Sequence, residues 1–159
     1  MDYTKEMERD KNMKYKTFAL TMIVSFVIMY AVMFLNIDEA DHFYISITRI
    51  YMALLMVSLM AIVMMGMMGK MYPNKKLNTG IMVGAVILFG LVLAGLRTQT
   101  PIGDVQYMKA MIPHHSSAIM VSKNANLKDP EVIKLSEGII ASQEKEIAEM
   151  KAILERMEK

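Results

Sequence analysis

The sequence contains no cysteine. Disulfides, thiolate metal centres and cysteine nucleophiles are therefore excluded. It also lacks an excess of either charge: the formal net charge is +2, which gives no electrostatic reason to expect a nucleic-acid partner. No activated nucleophile, cofactor-binding loop or pair of catalytic carboxylates stands out, so the chain does not read as an enzyme. The one Glu-x-x-His, Glu39-Ala-Asp-His42, lies in a loop, so the pair of helical units that di-iron bundles use is absent as well. What remains is apolar. Hydrophobic residues make up 54% of the 159 and the mean hydropathy is +0.30, too greasy for an ordinary soluble domain of this length. Methionine is the outlier, with 20 residues. It serves as a flexible apolar filler, and its thioether is also a soft ligand for Cu(I).

Charge is also missing from the interior of three long runs, which predict membrane spans at about 17–35, 50–69 and 79–96. A hydrocarbon core of about 30 Å needs about 20 apolar residues in a helix. Arg49, Lys70 and Arg97 lie at the ends of these runs, where long side chains can reach the interface. The first run is long for a signal peptide and no A-x-A-like cleavage site follows, so a retained anchor is expected. Lys5, Arg9, Lys11, Lys14 and Lys16 precede it. The first loop carries Asp38, Glu39 and Asp41 with no Lys or Arg before Arg49, and the second carries Lys70, Lys75 and Lys76. This alternation predicts a cytoplasmic N-terminal segment (1–16), a three-helix membrane domain (17–97) and an extracytoplasmic C-terminal domain (98–159). His42, among the loop's acidic residues, reads as part of a solvated loop, with cation gathering as the alternative.

Beyond Thr98 the pattern predicts two helices. Thr100-Pro101 reads as an N-cap with Pro at the first helical position, and that helix should run to about Lys123. Asp129-Pro130-Glu131 is a second start signal, and the last helix should run nearly to Lys159. The short connection makes an antiparallel hairpin. The expected class is all-α: three transmembrane helices followed by half of a ferritin-like four-helix bundle, completed by homo-oligomerisation because two helices alone bury too little surface.

The first helix of this hairpin carries the chemistry. At 3.6 residues per turn Asp104, Met108, Met111 and His115 fall along one stripe, with His114 beside it. Pro113 gives up a backbone hydrogen bond to the Lys109 carbonyl just before the histidines. Thioether with imidazole favours copper, above all Cu(I). Zinc held by two histidines and a carboxylate is the alternative, and it would leave the methionines idle. On the second helix Ser136, Ile139, Ile140, Gln143, Ile147, Met150, Leu154 and Met157 form the inward stripe, with Glu146 on its flank. Gln143 and Glu146 are candidates to support a metal-bound histidine. Met120 points away from the stripe, and Met150 reads first as core. Met52, Met56, Met60, Met64 and Met68 recur every fourth residue in the second span, as packing or as a path for Cu(I). Gly80-x-x-x-Gly84 is a weak helix-pairing signal.

The stretch Met108-Lys-Ala-Met-Ile-Pro-His-His-Ser-Ser-Ala-Ile-Met120, followed by Ser142-Gln-Glu-Lys-Glu-Ile-Ala-Glu-Met150, resembles domain-of-unknown-function family 305. That resemblance implies a ferritin-like helical domain of a kind found in secreted and periplasmic copper-binding proteins associated with copper tolerance. The family's metal ligands fall here on His114, His115, Met108 and Met111, with Met120 and Met150 after them. Ser116 departs from the pattern by standing where Gln is common, and only one hairpin is present. The expected protein is therefore a multi-pass protein of a bacterial cytoplasmic membrane that captures or buffers Cu(I) on the outer side. A metal-transporter subunit using the Met-rich second span is one alternative. A scaffold without metal is another.

Overall fold

The computed structural model describes residues 3–159, with side chains from Met13 onward. Lys5, Arg9 and Lys11 of the basic N-terminal segment therefore lie outside the described side chains. The described residues form five α-helices and no strand: α1 (Tyr3–Val32), α2 (Ile47–Met68), α3 (Lys75–Thr98), α4 (Asp104–Asn124) and α5 (Pro130–Met157). Three stretches are long and apolar enough to cross a membrane: Met13–Val32, Ile47–Met71 and Lys75–Thr98. The third, with 24 residues, is clear of the short limit suggested by its apolar run alone. No more than 22% of any of these spans is buried within the protein. Their outward faces are apolar and compatible with lipid contact.

Two compact units emerge. One contains the chain up to Tyr30 together with Ile50–Thr100. Its core packs Phe18 of α1 against Ala61 and Met65 of α2 and Ala85 of α3, and small residues permit close approach. Gly95 is such a point, since a Cβ there would lie 3.2 Å from the Tyr51 ring. Gly80 and Gly84 have nothing within 4 Å of an added Cβ, so this pair does not mediate a close helix contact within the chain. At one end Tyr15 donates to Asn78 Oδ1 (2.7 Å), and Asn78 Nδ2 donates to the carbonyls of Gly69 and Tyr72. Asn74 caps α3 by accepting from the Leu77 N–H. Met56, Met60 and Met64 are half-buried and Met52 is exposed, while the fully buried row of α2 is Ala53, Ser58, Ala61 and Met65. The fourfold methionine repeat thus flanks the packed face of the helix.

The second unit contains Ala31–Arg49 and Pro101–Lys159. Helices α4 and α5 run antiparallel, as Lys109 pairs with Glu158, His115 with Glu146, and Ser136 donates to the Ser122 carbonyl. Met108, Ile112 and Ile119 meet Ile147 and Leu154 in a core to which each buried side chain contributes about 1.5–3 kcal/mol. Asp129 starts α5 as expected, accepting from the N–H groups of Glu131 and Val132 with Pro130 next. The start of α4 differs from expectation: it begins at Asp104, with Gly103 as N-cap. Thr100 is not free to cap. Its N–H closes the end of α3 on the Gly95 carbonyl, its hydroxyl pairs with that of Thr98, and its carbonyl accepts from Tyr51. Gln99, left-handed at φ 54°, turns the chain there.

The loop between α1 and α2 supplies the third part of this unit. Tyr44 packs against the hairpin core, Asp38 N–H donates to Ser116 Oγ (2.7 Å), and His42 Nδ1 lies 2.9 Å from the same oxygen. Lys123 and Lys151 of the hairpin pair with Asp38 (2.8 Å) and Asp41 (2.6 Å). The return of the chain is fastened by Arg49, which stacks over Phe34 and donates to the Met33 carbonyl. The expectation of a solvated loop around His42 is corrected: that ring is 5% exposed. Its Nδ1 is satisfied by Ser116, which offsets part of the cost of burying the ring against the hairpin.

Candidate metal centre on the hairpin

Helical spacing brings part of the predicted ligand set together on α4. Met111 has His114 three residues ahead and His115 four ahead, the two separations at which helix side chains are neighbours. The histidine rings lie 6.0 Å apart, centre to centre, at 71° to each other. They face different environments: His114 is exposed and His115 is buried. Pro113 is also buried, and α4 continues through it.

His115 is held at both nitrogens. Nδ1 is 2.8 Å from the Met111 carbonyl and Nε2 is 2.6 Å from Glu146 Oε2. A carbonyl oxygen can only accept, so Nδ1 carries a proton. Nε2 is then the nitrogen a metal would take in exchange for the proton it donates to Glu146, and the Nδ1–H···O=C bond fixes the ring plane as it does for metal-bound histidines. Glu146 occupies the direction a metal would take. Its carboxyl is held below the ordinary carboxylate range, first by the Ser142 hydroxyl (2.9 Å) and then by His115. Glu146 is thus an ionised acceptor resting on Nε2, which a metal would have to displace or recruit as an oxygen ligand.

The other predicted residues divide. Met108 is buried in the apolar core with Ile112 and Leu154, and Met150 packs half-buried against that core. Met111 is half-buried beside the histidines. Met120 is also half-buried, one turn beyond Ser116. Asp104 is exposed in the first turn of α4, where its charge suits the helix dipole but stands about three turns from His115. Gln143 is half-buried and lines a shallow groove on α5 with Leu135, Ile139 and Ser142. Glu146 reaches His115 and Gln143 does not take that role. In chemistry the set at Met111, His114 and His115 fits copper: one thioether and two imidazoles from a single helix, with Met108 a further turn down.

Sequence reasoning did not see Ser116 as a functional position. It is fully buried, and its hydroxyl receives the loop. The signal was the opposite charge of Asp38 and Asp41 and of Lys123 and Lys151, on segments expected on the same side of the membrane. These pairs shift titration at both ends of the scale. The Lys151 hydrogen bond lowers the Asp41 pKa below its ordinary 3.8, and the Asp38 hydrogen bond raises Lys123 above 10.5. The Asp41 contribution to docking is present above pH 3.8 and lost as pH falls through its depressed value. The Lys123 contribution is present below pH 10.5 and lost as pH rises through its raised value. Hydrogen exchange of the 37–46 amides should therefore stay slow across neutral pH. Proteolysis within that loop should accelerate when the protein is taken below the carboxylate range.

Comparison with known proteins defines the class. Residues 90–158 match the family model described as "Domain of unknown function (DUF305)", and the chain belongs to that family. The chain is also 36% identical over 139 residues to an uncharacterized protein of Acanthamoeba polyphaga mimivirus, an alignment covering 86% of this chain and 90% of that one. The likeness therefore extends through the apolar helices as well as the hairpin. No solved structure matches.

Proposed function

We propose that this is a membrane-anchored copper-binding protein, which captures or buffers Cu(I) on the outer side of a cytoplasmic membrane and so serves copper tolerance. The observation that carries the reading is the state of His115: its Nδ1 is fixed on the Met111 carbonyl, its Nε2 lies 2.6 Å from the Glu146 carboxylate that a metal would displace or recruit, and the His114 ring stands 6.0 Å away. In this reading His114, His115 and Met111 hold the ion, Met108 closes the set from the core side, and Glu146 orients Nε2 when no metal is bound. Cu(I) supplies no catalysis here; it is the cargo.

Topology supports an outer site. The loop after the first span and the hairpin after the third share one unit through Asp38–Lys123, Asp41–Lys151 and His42–Ser116. They must lie on one side, which two intervening spans accomplish. The lysine-rich segments then fall on the opposite, cytoplasmic side. The deciding experiment is Cu(I) titration of the full chain in detergent against a chromophoric chelator. The His114→Ala/His115→Ala double variant is run beside it. Binding that persists unchanged in a folded double variant would refute the site and return the scaffold reading.

The hairpin also carries an apolar stripe that none of the described residues covers. Val121, Val132, Leu135 and Ile139 are all exposed, Leu135 at 64%. Homo-oligomerisation through this stripe would complete a helical bundle. Leu135→Glu should then shift sedimentation of the detergent-solubilised protein to the monomer, since a charge buried in such an interface has no partner. An unchanged sedimentation coefficient would exclude this face.

A further inference from the structure

The loop that packs on the hairpin holds a donor cluster of its own. Around the single turn Ala40–His42, one oxygen each of Glu39 and Asp41 and a ring nitrogen of His42 all lie within 4.8 Å of one another. His42 Nε2 is 3.8 Å from Glu39 Oε2 and 3.6 Å from Asp41 Oδ1, too far for a hydrogen bond to either. Two surface carboxylates would by themselves be a solvated edge. His42 changes the reading. The ring is 5% exposed, its Nδ1 is bonded to Ser116, and Nε2, with no hydrogen bond among the described residues, is aimed between the two carboxylates. The Ser116 hydroxyl accepts as readily as it donates, so it can hold Nδ1–H while Nε2 offers its lone pair.

We propose that Glu39, Asp41 and His42 form a site for a first-row divalent cation, with Zn²⁺ as the best match, separate from the Met/His face of α4. One imidazole with two carboxylates suits zinc. Magnesium and calcium favour oxygen alone, and Cu(I) favours thioethers that this cluster lacks. Zinc bonds of about 2.0–2.2 Å in a tetrahedron set ligand atoms about 3.3–3.6 Å apart, so each carboxylate oxygen needs to close on His42 Nε2, from 3.8 and 3.6 Å, by no more than about half an ångström. Asp41 can serve without giving up its ion pair, because Oδ1 faces His42 while Oδ2 holds Lys151. The charge also fits. A cleft of about 220 Å³ beside the cluster brings in Asp38 and Glu144. With Asp41 and Glu39 these are four carboxylates against the ammonium groups of Lys123 and Lys151, which leaves two negative charges. Bound there, the cation would staple the loop to α4 through His42 and Ser116. Its fourth position is open to water, as the carboxylates are exposed.

The site is tested by titrating the full chain in detergent micelles with Zn²⁺ by calorimetry, with Co²⁺ absorption as a second readout of coordination. Three variants are compared: His42→Asn, Glu39→Gln and His114→Ala/His115→Ala. Asparagine can keep a bond to Ser116 while removing the Nε2 ligand, and Glu39 is an exposed side chain whose change leaves the fold intact. The proposal expects one Zn²⁺ per chain, weakened at least about tenfold in each of the first two variants and unchanged in the third. It is overturned if the wild type binds no Zn²⁺, or if His42→Asn and Glu39→Gln bind as the wild type does. Loss confined to the His114/His115 variant would place the ion on α4 and overturn it equally. Because the readout is Zn²⁺ at the loop, failure here leaves the Cu(I) reading of α4 untouched, and the reverse also holds.

Discussion

His115→Ala should weaken Cu(I) binding by at least about a hundredfold, and His114→Ala by distinctly less. Loss of a partner that only orients a ligand already costs about 10–100-fold in metal affinity, so loss of an oriented ligand itself should exceed that range. The inequality between the two histidines follows from their surroundings. His115 is buried with Nδ1 held by the Met111 carbonyl, so little conformational entropy is left to lose when Nε2 binds. His114 is exposed and must be ordered by the metal. Met111→Leu should fall between the two, and Met108→Leu, a volume-conserving change in the core, should keep the fold while testing whether its sulfur takes part. The measurement is competitive Cu(I) titration of each single variant, with circular dichroism as a folding control. Equal small losses for all four would mean that copper, if bound, is held elsewhere, and the methionines of α2 would become the next place to look.

The sequence made the helices legible because their signals are local. Three apolar runs, the Asp129-Pro130-Glu131 start and the 3.6-residue stripe from Ser136 to Met157, whose Ile147 and Leu154 are buried while Ile139 and Met157 are exposed, each depend on neighbours a few residues away. The start of α4 was misread for a related reason. Thr100 has the composition of a cap, yet the end of α3 and Tyr51 had already claimed its donor and both its oxygens. No local pattern reports a competition with a residue 49 positions earlier. The same limit hid the loop. His42 and Ser116 are 74 residues apart, and each alone looks ordinary. Glu146 was legible as a flank residue and Gln143 as an inward one, but which of them meets His115 depends on the rotation of α5 about its axis. A stripe of eight residues fixes that angle only to within about half a turn's width. The proposed copper donors are the opposite case, since helix spacing alone sets Met111 beside both histidines.

Ser116→Ala should release the loop while leaving the two helices paired. Ser116 is fully buried, and its oxygen serves both Asp38 N–H and the His42 ring. Alanine fills nearly the same space and removes the partner of both, and a buried polar group left without one costs about 1–3 kcal/mol. Taking about 2 kcal/mol, opening of the loop becomes roughly 30-fold more frequent, and the Asp38 and His42 amides should exchange faster by that factor. Amides of α4 and α5 near Ile112 and Ile147 should not change, because the core of the hairpin does not depend on this oxygen. Ser117→Ala is the internal control. Among the described residues its hydroxyl accepts from the Asn36 side chain at an exposed position, so its loss should be worth about a few tenths of a kcal/mol. A longer side chain cannot enter a site with no exposed surface that is already filled by the loop, so Ser116→Gln should displace the loop more completely than alanine does. Uniform protection of residues 37–46 in both variants would show that the two lysine pairs hold the loop unaided. The buried serine would then be a consequence of docking and not its cause.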